Sequence, residues 1–250
     1  KLLWRLAQEK EPLFVVGSSG VEHALSEAWR SMGTADIKSD RSEYSANQVP
    51  TLKSDPIVVL SGSASDITRK QIEAAEREGF LSMRLPLDRL LRNEESESDV
   101  SDIVDMVEKN LRSGKDFILY TAKGPHDPAI LDIRKQMSSN GIAADQSGKR
   151  LGQLLGRIMK ELTLRKCTRR FVVAGGDTSG YATMELGISA MEIAASIAPG
   201  APLNLCYSNN PLLNGLELAL KGGQLGQEDY FIRVKHEILS RVEGVCSEHD

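Results

Sequence analysis

The segment Gly175-Gly176-Asp177-Thr178-Ser179-Gly180 has the residue types and spacing of an anion-binding loop. It follows the apolar run 171–174 and precedes a helical pattern over residues 181–186. Glycines allow backbone N–H groups to approach an anion closely, and the helix that follows adds unpaired N–H groups and the positive end of its dipole. The segment therefore predicts a phosphate-binding loop, although a tight turn from strand to helix would have the same composition.

Asp177 is the unexpected member of this loop, because a carboxylate repels phosphate. It could hold Mg²⁺ through a water molecule, with the ion bridging phosphate oxygens, or it could cap the helix. Thr178 and Ser179 can likewise cap the helix or bond a phosphate oxygen. The sequence contains neither GxxxxGK[ST] nor GxGxxG, so neither a Walker-type loop nor a standard dinucleotide-binding fold is indicated.

A second loop of similar composition, Ser61-Gly62-Ser63-Ala64-Ser65-Asp66, follows the apolar run 57–60. Ser65 or Asp66 is expected to cap the next helix, because both side chains accept hydrogen bonds from the first amides of a helix. Ser61 and Ser63 then remain to contact a ligand, although capping alone would explain part of this composition. The segment 17–20 is interpreted as a turn.

Lysines and histidines give weaker signals. Lys123 and Lys221 lie in or beside glycine-containing loops and could neutralise phosphate, although a surface position is the more common one for lysine. His126 is interpreted as a loop residue, and His23 as a packing or surface residue of a helix. The spacing indicates no Ser/His/Asp or Cys/His arrangement for nucleophilic catalysis.

Four apolar runs that end in small-residue loops predict how these residues are positioned. Continuous runs of this kind are typical of strands buried on both faces, and intervening helices allow parallel pairing. The loops should then share the carboxyl edge of one sheet, where ligands bind in such folds. We expect an α/β fold with a mostly parallel sheet, helices on both faces in a Rossmann-like three-layer arrangement, and a more β-like C-terminal part. The four runs are residues 13–16, 57–60, 117–120 and 171–174.

Apolar spacing predicts the remaining elements. Helices are expected over residues 21–32, 67–78, 100–111 and 147–164. Strands are expected over residues 190–193, 203–206 and 216–220, with a turn at 199–202. Residues 229–234 fit either a strand or a helix. The polar stretch 33–55 is typical of a linker, and residues 93–99 of a solvated loop or helix start.

Composition excludes several classes of partner. The 250 residues carry a net charge of −4 without a clustered basic face, so a nucleic-acid partner is not indicated. Three widely spaced cysteines disfavour a zinc site and are typical of a reducing compartment such as the cytoplasm. No apolar stretch approaches the roughly 20 residues that span a bilayer, so no membrane partner is expected.

Taken together and in order, four stretches resemble the C-terminal nucleotide-binding domain of the four-carbon acid sugar kinases. The resemblance covers nearly the whole chain. The matching stretches are Pro12-Leu13-Phe14-Val15-Val16-Gly17-Ser18-Ser19-Gly20-Val21-Glu22, Val59-Leu60-Ser61-Gly62-Ser63-Ala64-Ser65 with Thr68 and Gln71, Val172-Val173-Ala174-Gly175-Gly176-Asp177-Thr178-Ser179-Gly180, and Leu220-Lys221-Gly222-Gly223-Gln224-Leu225-Gly226 with Asp229-Tyr230-Phe231.

The resemblance implies ATP-dependent phosphorylation of a terminal hydroxyl on a four-carbon sugar acid, such as threonate, erythronate or 3-oxo-tetronate. It implies Mg²⁺ as the accompanying ion and ATP or ADP as the bound nucleotide. Family members more often carry Glu where Asp177 stands, and residues 222–226 match the family pattern less closely than the other stretches do. The resemblance implies nucleotide contacts at Ser61, Gly175, Gly176, Asp177, Thr178, Gly222 and Gly223, and Gly62 and Ser63 of the same loop as Ser61 complete the expected set.

The acidic Asp-Asp-x-Thr-Gly element that opens the family's sugar-binding N-terminal domain has no match in this sequence. We therefore expect residues 1–12 to be the end of that half or a linker, and residues 13–250 to be the nucleotide-binding domain. The catalytic base and sugar contacts would then lie in an N-terminal partner domain. The alternative function is a non-catalytic nucleotide-binding or regulatory module of a multidomain protein. A homo-oligomer is compatible with either.

Overall fold

The computed structural model describes residues 2–9, 13–17, 19–33, 55–90, 97–141, 143 and 146–237. It divides the chain into two compact units, Lys1–Pro50 and Thr51–Asp250. The first unit contains helices α1 (Leu2–Glu9) and α2 (Ser19–Ser31), whose Trp4 and Trp29 rings meet edge to face with centroids 5.5 Å apart.

The strand predicted at residues 13–16 is wrong. Residues 13–17 have no regular secondary structure. Phe14 and Val16 are 89% and 101% exposed, and no strand within the described ranges pairs with them. An apolar run becomes a strand only where a neighbour accepts its backbone hydrogen bonds.

The second unit is built on one sheet. Within the described residues, its seven strands lie in the order β2-β3-β1-β4-β7-β6-β5. The first five of these run parallel, and β6 pairs antiparallel with both β7 and β5. The strands are β1 (Val58–Ser61), β2 (Leu81–Arg84), β3 (Phe117–Tyr120), β4 (Arg170–Ala174), β5 (Ile188–Ala198), β6 (Ala201–Ser208) and β7 (Glu217–Lys221).

Helices cover both faces of this sheet, which confirms the three-layer prediction. Every residue of β1 is buried, and successive side chains along the strand point to opposite faces of the sheet. Val58 and Leu60 join a core with α5 and α7, whereas Ile57 and Val59 join a core with α3 and α9. The helices are α3 (Asp66–Arg77), α4 (Leu87–Leu90), α5 (Glu97–Arg112), α6 (Ala129–Ser139), α7 (Ser147–Leu164), α8 (Gly176–Glu185) and α9 (Tyr230–His236).

The structure differs from the sequence prediction at several element boundaries. Strand β2 and helices α1, α4 and α6 were not predicted, and residues 230–236 are helical. Helix α8 begins at Gly176, five residues before the predicted start, so most of the predicted loop is the first turn of a helix. The predicted linker lies almost entirely outside the described residues, as does the first part of the acidic loop, and α5 begins at Glu97.

A row of three glycines allows α7 to pack closely against α8. Gly148, Gly152 and Gly156 recur at intervals of four residues and therefore share one face of α7. A Cβ atom at Gly156 would lie 2.9 Å from the Ala182 carbonyl oxygen and 2.5 Å from the Glu185 Cβ. The backbone of α7 thus rests directly on α8 and sets the position of its N-terminus.

No helix in the part of the chain that the structure describes is both long enough and apolar enough to cross a bilayer.

Close packing of α7 on α8 predicts the effect of Gly156→Ala. We expect it to lower the free energy of unfolding by about 1–3 kcal/mol, because the helices must separate. The higher helix propensity of alanine, worth about 1 kcal/mol, opposes this loss without removing it. Urea unfolding would measure the change.

Gly180→Ala in α8 is the matched control. A Cβ there meets no atom within 4 Å, so the substitution should be neutral or stabilising by up to about 1 kcal/mol. Equal stability changes in the two variants would contradict the packing role of the glycine row.

Candidate functional site

Four parallel strands end at the same level of the sheet. Ser61, the last residue of β1, pairs in register with Tyr120 of β3 and with Ala174 of β4. Ala174 in turn pairs with Lys221, the last residue of β7. The segments that follow these strands therefore leave the sheet side by side at its carboxyl edge, as the sequence predicted.

The sheet ladder continues one step into two of these segments. The Gly62 N–H donates to the Ala174 carbonyl at 2.9 Å, and the Gly175 N–H donates to the Lys221 carbonyl at 2.9 Å. These bonds fix the first residue of each loop to the neighbouring strand, so the loops start from a rigid base.

A cleft of about 440 Å³ opens over this edge. Seven of the nine nucleotide contacts implied by the sequence line it, namely Gly62, Ser63, Gly175, Gly176, Asp177, Thr178 and Gly223. Ser61 and Gly222 do not line it. The cleft is within the volume range of ordinary small-molecule sites, which run from about 300 to 1,000 Å³.

The N-terminus of α8 borders the cleft without a side-chain cap. Its N-cap residue is Gly175, whose φ of +135° is a conformation that favours glycine. Ser179 is the first residue of this turn whose N–H bonds to a carbonyl of the same turn. It donates to the Gly175 carbonyl at 2.9 Å. The preceding amides and the positive end of the helix dipole therefore face the cleft, where they suit an anion.

The three polar residues of this turn have different surroundings. Asp177 is exposed and does not cap the helix. Thr178 is buried, and its Oγ1 would lie 2.5 Å from a Cβ atom at Gly62, so glycine at that position makes room for it. Ser179 is buried and donates from Oγ to the Gly175 carbonyl at 2.6 Å, which removes it from ligand contact.

Ser65 caps α3, as one of the two predictions from the sequence had it. Its Oγ accepts from the Thr68 N–H at 3.1 Å. Ser61 does not face the cleft, because it is fully buried and its Oγ accepts from the Ser63 N–H at 3.4 Å. The Ser63 hydroxyl lies 3.1 Å from Thr68 Oγ1 and 3.3 Å from Ser65 Oγ. These hydroxyls therefore form a connected network at the rim.

The two lysines of the sequence prediction differ. Lys123 pairs with the Glu76 carboxylate and lies 5.0 Å from the centroid of the Tyr120 ring, and it does not line the cleft. Lys221 is 1% exposed, so it is not a surface lysine. Its Nζ donates to Thr68 Oγ1 at 3.0 Å, and burial lowers the pKa of its ammonium to about 8.

Sequence reasoning missed the apolar wall of the cleft. Helix α6 contributes Ile130, Ile133 and Met137, whose spacing of three and four residues was a readable helical signal. Leu87 of α4 and Leu151 of α7 complete the wall. Arg134 of α6 also lines the cleft, which adds a cation for which the sequence contained no specific signal.

Asp127 holds the segment between β3 and α6 in place. Its carboxylate accepts from the Arg84 guanidinium at 2.8 Å and 3.0 Å, and from the amides of Lys123 and Ala129. Burial of the carboxylate opposes its ionisation, but these hydrogen bonds outweigh burial and lower the pKa of Asp127 to about 2. The start of α6, and with it the apolar wall, is positioned by this carboxylate.

The described residues contain no group of three or more His, Cys, Asp or Glu side chains that could hold a metal ion. His23 and His126, interpreted above as ordinary helix and loop residues, are both exposed.

Residues 58–231 match the model of the nucleotide-binding C-terminal domain family. Two similar proteins are the 3-oxo-isoapionate kinase of Paraburkholderia graminis, 34% identical over 96% of this chain and 49% of the relative, and the 3-oxo-tetronate kinase of Cupriavidus necator, 32% identical over 87% of this chain and 45% of the relative. This chain belongs to the four-carbon acid sugar kinase family. It spans about half the length of these curated relatives.

Similar solved structures agree with this architecture. A Haemophilus influenzae protein of the DUF1537 family is 28% identical and aligns with a TM-score of 0.58 over 76% of this chain and 42% of its own. A Bordetella bronchiseptica protein of the same family, crystallised with citrate as a domain-swapped dimer, is 22% identical and aligns with a TM-score of 0.52 over 72% of this chain and 40% of its own. The latter likeness concerns the fold alone.

The bonds of Asp127 predict a pH-dependent stability. Because its folded pKa of about 2 lies below the ordinary 3.8, the carboxylate stabilises the fold above pH 4, and this contribution is lost as the pH falls toward 2. We expect Asp127→Asn to lower the free energy of unfolding by about 1–3 kcal/mol at pH 7, and the difference from wild type to shrink below pH 3. Unfolding curves at several pH values would measure both effects.

Asp132→Asn is the control, because Asp132 is an exposed carboxylate in the first turn of the same helix. Its effect should stay within about 0.5 kcal/mol. A difference for Asp127→Asn that stays constant from pH 7 to pH 2 would contradict the assignment.

Proposed function

We propose that this chain is the nucleotide-binding half of an ATP-dependent kinase that phosphorylates a four-carbon sugar acid such as threonate, erythronate or 3-oxo-tetronate. The observation that carries the proposal is the uncapped N-terminus of α8 at a glycine-lined cleft. The names of the relatives, 3-oxo-tetronate kinase and 3-oxo-isoapionate kinase, support the substrate class. The nucleotide-binding family match supports the ligand class.

The phosphate groups would be held by the amides of Gly176, Asp177 and Thr178, with Gly62, Ser63 and Gly223 on the opposite side. Gly175 would position this turn, because its own N–H already donates to the Lys221 carbonyl. Small residues suit this position, because they let an anion approach the first amides of α8 and keep side chains out of the way. Ser61 would act indirectly, since its hydroxyl binds the Ser63 amide. Gly222 would act through the turn that presents Gly223.

The apolar wall formed by Leu87, Ile130, Ile133, Met137 and Leu151 would accept the adenine base. A nucleotide has one apolar planar end and one highly charged end, and the cleft offers a surface for each. Asp177 is exposed beside the proposed phosphate position and could hold Mg²⁺ through water, but a lone carboxylate is not a resident metal site. Bound Mg-ATP would supply the transferred phosphoryl group with its charge partly neutralised.

We assign different roles to the two units of the chain. The boundary after Pro50 and the family match from residue 58 support a nucleotide-binding domain that starts later than the residue 13 inferred from sequence. We place the unit Lys1–Pro50 with an N-terminal sugar-binding half, and the catalytic base in that half. The residues described at this cleft would then bind, orient and stabilise charge.

Nucleotide binding by the glycine edge predicts the effect of Gly176→Val. A side chain at Gly176 meets no atom of the protein within 4 Å, so the variant should fold, but its branched side chain would enter the phosphate position. We expect Mg-ATP affinity to fall by about a hundredfold or more, which corresponds to about 2.7 kcal/mol. Isothermal titration calorimetry would measure it.

Gly180→Val is the matched control. Gly180 lies in the same helix, is exposed and also has open space at its Cβ, but it does not line the cleft. This variant should bind Mg-ATP as tightly as wild type. The proposal fails if wild type binds no Mg-ATP, or if the two valine variants bind alike.

Catalysis needs a separate test on the protein at the full length of its relatives. ADP release that depends on a four-carbon sugar acid is the expected result. Tight ATP binding without such release would instead identify a non-catalytic nucleotide-binding module.

A further inference from the structure

Lys221 is a buried cation without a counter-charge in the described structure. It ends β7, its side chain is 1% exposed, and no carboxylate among the described residues forms an ion pair with it. Its acceptors are Thr68 Oγ1 at 3.0 Å and the Gly223 carbonyl at 3.4 Å. An ammonium has three N–H donors, so these two acceptors satisfy its hydrogen-bonding capacity only in part. Burial of such a charge is costly unless something compensates for it.

The position of Lys221 indicates what could compensate. Gly223, which accepts from the ammonium, lines the cleft, and Ser63, which also lines it, is bonded to the same Thr68 hydroxyl at 3.1 Å. The Lys221 carbonyl accepts the N–H of Gly175 on the other side. The residue therefore connects the two loops that border the cleft, and its charge lies one hydrogen-bonding partner away from the lining.

We propose that Lys221 is a buried counter-charge for the nucleotide's phosphate groups, and that it positions the Ser63–Gly223 rim against which they bind. This inference rests on the nucleotide binding proposed above. Lys221 is a positioning residue: it acts through its partners Thr68 and Gly223 and through its field. That field is strong here because the protein interior screens charge far less than water does.

A pH dependence of binding follows. In the free protein the pKa of Lys221 is lowered to about 8 by burial, so the ammonium loses its proton as the pH rises through 8. Bound phosphate favours the charged form, so nucleotide affinity falls above pH 8 and binding there takes up a proton.

Other groups around Lys221 do not account for this behaviour. Carboxylates, arginine and exposed lysine ordinarily titrate far from pH 8, Asp66 pairs with Arg69, and Lys70 pairs with Glu228. Burial raises the pKa of Tyr230 further from this range. His236 is exposed in the last turn of α9. The charged and titratable groups on the elements around the rim are Asp66, Arg69, Lys70, Glu73, Glu76 and Arg77 of α3, Asp177, Tyr181 and Glu185 of α8, Glu228 and Asp229 before α9, and Tyr230, Arg233, Lys235 and His236 of α9.

The test is calorimetric titration of wild type and Lys221→Met with Mg-ATP at pH 7 and pH 8.5, in two buffers of different ionisation enthalpy. We expect the methionine variant to bind about tenfold or more weakly at pH 7. It should show no proton uptake at pH 8.5, whereas wild type takes up a substantial fraction of one proton. Its melting temperature should not fall, because methionine fills a similar volume without an unpaired charge.

Lys123→Met is the control, because Lys123 is a loop lysine at the same edge that pairs with Glu76 and does not line the cleft. It should keep the wild-type affinity and proton uptake. Lys221→Arg covers the case in which the methionine variant fails to fold. Arginine keeps its charge at pH 8.5, so the affinity of this variant should not fall between pH 7 and pH 8.5.

Failure of wild type to bind Mg-ATP would overturn the proposed function together with this inference. If wild type binds, equal affinity and equal proton uptake in Lys221→Met would overturn the role of Lys221 alone. A Lys221→Arg variant that loses affinity above pH 8 as wild type does would also overturn it.

Discussion

The cleft depends on one constraint, which is that the parallel strands β1, β3, β4 and β7 end at the same level of the sheet. Ser61, Ala174 and Lys221 lie side by side because β1, β4 and β7 are in register, and the loops that follow inherit this alignment. Alternation of side chains between the two cores fixes that register, since a slip of one residue would turn Val58 and Leu60 away from α5 and α7. The hydrophobic core thus determines where the glycine loops meet.

Elements defined by their own side chains could be predicted from sequence. Strand β3 and helix α7 have the predicted bounds, because a run of apolar residues and a helical stripe are properties of the segment itself. The same signal failed at residues 13–16, because a strand also needs a neighbour that accepts its backbone hydrogen bonds, and the described chain provides none. Helix α6 was missed, although Ile130, Ile133 and Met137 carry its stripe.

The site was predictable to the extent that it depends on backbone. Gly175 and Gly176 could be assigned because consecutive glycines directly after a buried strand are typical of backbone that approaches a ligand closely, and the structure brings both to the cleft. Gly152 and Gly156 carried no readable role, since a glycine within a helix is ordinarily only a loss of stability. Their role depends on where α8 lies. The burial of Ser61 and Lys221 was not predicted for the same reason, because burial is decided by contacts distant in sequence.

Two features of this edge are electrostatically positive, and each lowers the stability of the free protein. With glycine as its N-cap residue, α8 forgoes roughly a few tenths of a kcal/mol that a Ser or Asp cap would contribute at Gly175. A buried lysine without a carboxylate adds a second cost. A carboxylate that capped the helix or paired with Lys221 would relieve the cost in the free protein and would then compete with an anionic ligand. Asp177 lies in the first turn of α8 but does not cap it, and no ion pair joins it to Lys221 among the described residues. An anion that enters the cleft would therefore relieve both costs together, and binding it would stabilise the folded state.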